Sequence, residues 1–110
     1  MAIEIRRLIV NKDELKQISN DFIASGESDG PTGIVVDLKV IKKDPISFLV
    51  QIKTSDDQQT PFSLDEGQLV LAFIRYCATK KIPVSRSATK TVNFTDKDMI
   101  AFDMLLQSTI

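Results

Sequence analysis

The sequence predicts an α+β domain, and three observations carry that prediction. Apolar residues recur at every second position in several short runs, they recur at helical spacing in two longer ones, and each helical run opens on a capping signature. At 110 residues, 43% of them hydrophobic and 26% charged, the chain is long enough to bury an independent core and is expected to form one domain over residues 1–110. The predicted order is β-α-β-β-α-β(-β), a two-layer sandwich in which a mostly antiparallel sheet carries both helices on one face. If the last two runs form a single strand, that order becomes ferredoxin-like.

The elements follow in chain order. Ile3, Ile5 and Ile9 alternate with Glu4, Arg6 and Leu8, which predicts a strand over 3–10. Asn11, with Glu14 three residues on, can satisfy two orphaned backbone N–H groups reciprocally, and Leu15, Ile18 and Phe22 then mark one face of a helix of roughly three turns. Residues 25–33, "SGESDGPTG", hold the densest cluster of turn formers. Alternating runs from Ile34 and from Ile46 flank "KKDP" and predict a hairpin with one buried face.

The polar stretch "SDDQQTPF" reads as a loop leading to Ser63, which with Glu66 forms a second capping signature. The helix that follows is apolar almost all round, from Leu64 and Leu69 to Cys77 and Ala78, and is expected to be buried on more than one side. Lys80 and Lys81 suit its C-terminus and Pro83 stops it. Val92 and Phe94, "TDKD", and the alternation of Ile100, Phe102, Met104 and Leu106 predict a final hairpin whose first strand is short.

Composition narrows the chemistry. Histidine is absent, so Ser-His and Cys-His nucleophilic schemes are excluded, and the single cysteine, Cys77, has no second thiol to pair with or to share a zinc ion. Ser87 and Lys90 match S-x-x-K but lack the companion motifs of enzymes that use it, and "GPTG" at 30–33 lacks the Lys-Ser/Thr of a phosphate-binding loop. Asp56 with Asp57, and Asp96 with Asp98, lack the spacing of a calcium loop and suit turns. Cys77 sits among apolar residues, where a thiol behaves as a small hydrophobe. "NFT" at 93–95 fits a glycosylation acceptor, but nothing else points to export, so it is taken as a chance match. The expectation is a protein with no catalytic residues, no cofactor and no metal.

The net charge of −1 and a pI near 5.3 lack the whole-domain footprint of a protein that grips many phosphates. A local basic surface is a different matter. Arg75, Lys80, Lys81, Arg86 and Lys90 cluster in "RYCATKKIPVSRSATK", and Arg6 and Arg7 are candidate neighbours; these seven are the candidate binding residues. Only Tyr76 offers an aromatic face among them, poor provision for base stacking. No apolar run approaches the ~20 residues of a membrane span, and no signal peptide is legible.

"IRRLIVNKDEL" and "RYCATKKIPVSRSATK" resemble two blocks of small uncharacterised proteobacterial proteins of about this length, many of them alphaproteobacterial. In the second block Arg75, Tyr76, Cys77, Ile82, Pro83, Arg86, Ala88 and Lys90 match, while Ser85 stands where those proteins usually carry a second proline. The resemblance implies a bacterial cytoplasmic protein and brings no activity with it.

The leading expectation is a non-enzymatic interaction module, a homodimer or one half of a complex with another protein. It rests on the all-round apolar helix and on hydrophobes such as Val35, Ile41, Leu49 and Leu105 that exceed what one two-layer interior holds. The alternative is a nucleic-acid-binding or regulatory domain that uses the basic stretch.

Overall fold

The structure, a computed structural model, describes residues 2–108. Its elements run β1 (Ala2–Val10), α1 (Lys12–Ala24), β2 (Ile34–Lys43), β3 (Ile46–Lys53), β4 (Gln59–Asp65), α2 (Glu66–Thr79), β5 (Thr89–Phe94) and β6 (Ile100–Ser108). The class is α+β, as the periodicity predicts.

The strands form two antiparallel three-stranded sheets, ordered β1-β6-β5 and β2-β3-β4, where the sequence pattern predicts one. The second sheet is a meander inserted between the two ends of the chain, which meet in the first. Each helix therefore leaves one sheet and enters the other, and every ladder is antiparallel. The parallel crossover that a ferredoxin-like order requires is thus absent from the described residues.

The added element is β4. "QTPFSLD" reads as loop and helix start, but Thr60, Phe62 and Leu64 share one face and sit opposite Ile52, Val50 and Phe48. Ser63 is consequently a strand residue paired with Leu49, not a helix cap. The cap of α2 is Asp65, whose Oδ1 accepts the N–H of Gln68 at 2.9 Å. At α1 the predicted box is present in full: Asn11 Oδ1 accepts from Glu14 N at 2.8 Å and Glu14 Oε1 from Asn11 N at 3.0 Å.

The β3–β4 and β5–β6 hairpins close alike. Thr54 donates to Gln58 O and accepts from Asp57 N; Thr95 donates to Met99 O and accepts from Asp98 N. Asp57 and Asp98 both take positive φ, the position where a glycine or a short polar residue relieves the chain. The paired aspartates are therefore turn residues. The "GPTG" glycines are explained by close approach: a Cβ on Gly30 would lie 2.5 Å from the Phe62 ring, and one on Gly33 would run into the carbonyl oxygen of Lys53.

A single core joins both sheets to the helices. Phe73 of α2 stacks on Phe102 of β6 with ring centroids 5.0 Å apart, and Phe48 of β3 meets Phe94 of β5 at 5.6 Å. Helix α2 buries Leu69, Ala72, Phe73 and Cys77 and packs against α1, β4 and β5, so it is covered on more than one side, as expected. A bulge between Val35 and Asp37 turns Val35 into the core and leaves Ile34 outside, so Val35 is not one of the surplus hydrophobes.

Candidate interaction surface

The surface is built on the edge strand β1. β5 reaches only to the rung Thr89↔Leu105, whereas β1 and β6 stay paired out to Ala2↔Ser108, so their far ends form a two-stranded ribbon past the end of β5. Side chains alternate along β1 between the two faces of the sheet. One face carries Ile3, Ile5 and Ile9, which keep 58%, 65% and 47% of their surface in solvent, with Leu105 directly opposite Ile5. Arg7 interrupts this row and forks onto Asp103, Nε to Oδ1 at 2.7 Å and Nη2 to Oδ2 at 3.1 Å. The hydrogen bond and the charge of Asp103 push the Arg7 guanidinium further up from its ordinary value.

The other face of the ribbon carries Glu4, Arg6, Met104 and Leu106. The connector after α2 runs beneath it, and together they enclose a groove of about 270 Å³ that Pro83, Val84 and Ala88 line from the connector side. The connector leaves α2 through a reversed turn. Lys81 takes φ 57°, Lys81 N donates to Ala78 O at 3.4 Å and Ile82 N to Cys77 O at 2.8 Å, the paired bonds of a Schellman motif.

The seven candidate basic residues do not meet on one surface. Arg6 and Arg7 project to opposite faces of β1; Arg6 pairs with Glu4 at 3.3 Å and Arg7 with Asp103. Arg75 binds Glu27 at 2.9 Å and shares the groove between the helices with Lys80, where Glu14 and Asp21 line the opposite wall. Lys80 also lies 6.0 Å from the Tyr76 ring centroid. Arg86 and Lys90 do come together, in a groove of about 320 Å³ floored by Ile74, Ala78, Ile82 and Val84. Lys90 Nζ is turned back onto the connector, donating to Ala88 O at 3.0 Å and Arg86 O at 3.4 Å. Among the described residues, Lys81, Arg86 and Lys90 make no ion pair.

Ser87 and Lys90 are not bonded to each other: the Ser87 hydroxyl lies 3.0 Å from that of Ser85. Cys77 is fully buried, and desolvation pushes its thiol up from the ordinary value. No group of three or more His, Cys, Asp or Glu side chains converges among the described residues. No described helix is long and apolar enough to cross a membrane.

Sequence reasoning missed the importance of β1. The alternation that marks a strand also predicts a buried face, and at Ile3, Ile5 and Ile9 the apolar face is the outer one. The legible signal was Arg6 and Arg7 in adjacent positions, which forces a charge onto each face. Comparison with family models, with curated proteins and with solved structures returns no match.

Proposed function

We propose that the chain is a non-enzymatic protein-interaction module that associates with itself through β1, an edge strand of its first sheet. The observation that carries this reading is the exposure of Ile3, Ile5 and Ile9 on one face of an edge strand, with only Arg7 between them on that face. Apolar surface removed from water contributes about 25 cal/mol per Å², so the part of this surface that a partner covers offsets some of the cost of association. The resemblance to small proteobacterial proteins supports a bacterial cytoplasmic setting for this assembly.

A nucleic-acid-binding domain draws less support. Arg6, Arg7 and Arg75 each hold a carboxylate, which leaves Lys80, Lys81, Arg86 and Lys90 as the candidate cations without an ion pair among the described residues. The test is molar mass by light scattering over a concentration series, for the wild type and for Ile3→Lys/Ile5→Lys. The reading predicts a concentration-dependent dimer that the variant abolishes with unchanged circular dichroism. A monomer up to high micromolar concentration contradicts it.

A further inference from the structure

The two sheets have four edges, and three of them are blunted. β2 is broken by two bulges, carries Lys39, Lys42 and Lys43, and has the N–H of Val35 taken by Asn20 Oδ1 at 2.9 Å. β4 contains Pro61, which has no N–H to offer. On β5 the N–H of Val92 is taken by Glu66 Oε2 at 3.0 Å. β1 has no bulge, no proline and no described side chain bonded to its outer N–H groups; its ladder with β6 runs from Ala2 to Val10 without a register shift, and its charges, Glu4, Arg6 and Arg7, are each held in an ion pair. A long, regular, apolar edge is a template for another strand.

We infer that the strand it receives is β1 of a second copy, antiparallel about a two-fold axis at Ile5. This rests on the self-association proposed above and adds its geometry. Opposed residues of an antiparallel pair share a face, so the axis must pass through a residue position, and charge selects which one. Centred on Glu4, the pairing opposes two carboxylates; centred on Arg6 or on Arg7, it opposes two guanidiniums. Centred on Leu8, it sets no charge against an opposite one. Centred on Ile5, it sets Glu4 against the second copy's Arg6 and Arg6 against its Glu4, with the two Ile5 side chains together between them. The product is a continuous six-stranded sheet in which the two Ile5 side chains meet on one face and Ile3 of each copy lies opposite Arg7 of the other. An edge-to-edge contact buries less than a standard interface, so micromolar rather than nanomolar association is expected.

Two readouts test the register. Under mild oxidation Ile5→Cys forms a disulfide-linked dimer, whereas Ile9→Cys, far from the axis, does not; buried Cys77 does not compete. Glu4→Arg and Arg6→Glu each weaken dimerisation by about tenfold, and the double exchange Glu4→Arg/Arg6→Glu restores it. A wild type that is monomeric overturns the self-association itself. A dimer in which Ile9→Cys links as readily as Ile5→Cys, or in which the double exchange fails to restore affinity, overturns the register alone.

Discussion

Arg7 and Asp103 face each other on one rung of the β1–β6 ladder and are joined by two parallel bonds at 2.7 and 3.1 Å. Asp103 lies on the central strand, with Thr91 of β5 on its other side, so the fork ties the edge strand to the middle of its sheet. The bond also consumes Arg7, which removes it from any basic surface.

Asp103→Asn should therefore loosen β1 without unfolding the domain. Hydrogen exchange is expected to speed up severalfold at the β1 amides and to stay unchanged in β3 and α1, because local opening reads the loss where it occurs. Uniform acceleration across the molecule would mean that the pair acts on global stability instead.

Glu66 and Asn20 each give a helical side chain to a strand N–H, at Val92 and Val35. Loss of such an acceptor at a part-buried amide costs about 1 kcal/mol. Glu66→Ala and Asn20→Ala are each expected to show that loss in urea unfolding, with unchanged dimerisation if β1 is the interface.

Lys81 holds a left-handed conformation that glycine adopts without strain. Lys81→Gly should raise stability by up to about 1 kcal/mol, the relief of the Cβ contact less the added freedom of the unfolded chain. Thermal unfolding of the two proteins decides it.

Cys77 supplies a pH dependence whose sign is fixed by its raised thiol. The folded state holds the proton to higher pH than the unfolded state, so its contribution is complete below the ordinary thiol value near 9.0 and declines as the pH rises from there through the folded value. Stability of the wild type relative to Cys77→Ala should be constant near neutrality and fall on the alkaline side. Thiol reagents should label the folded protein slowly and the denatured protein at once.

Elements whose pattern is local were legible in the sequence. Asn11 with Glu14 gave the start of α1, the alternation flanking Asp44-Pro45 gave the β2–β3 hairpin, and Ile100 to Leu106 gave β6. β4 was hidden because Pro61 argues against a strand, and because Ser63 with Glu66 imitates a cap that Asp65 supplies. A second signal existed: "TSDDQ" and "TDKDM" share Thr and Asp three residues apart and close the same hairpin. The division into two sheets was not legible, since no local pattern states which strands pair across the chain. The surplus of apolar residues was legible, but its place only in part: Ile41 is exposed as expected, Val35 went into the core through a bulge, and Ile3, Ile5 and Ile9 came to the surface through the choice of β1 as an edge.

The most direct measurement of the central claim is amide hydrogen exchange across β1 as a function of protein concentration. Residues 2–8, the span of the proposed pairing, are expected to gain protection as concentration rises, while β5, the other edge of the same sheet, stays constant. Exchange in β1 that is independent of concentration, in a sample shown to be dimeric, would contradict β1 as the interface.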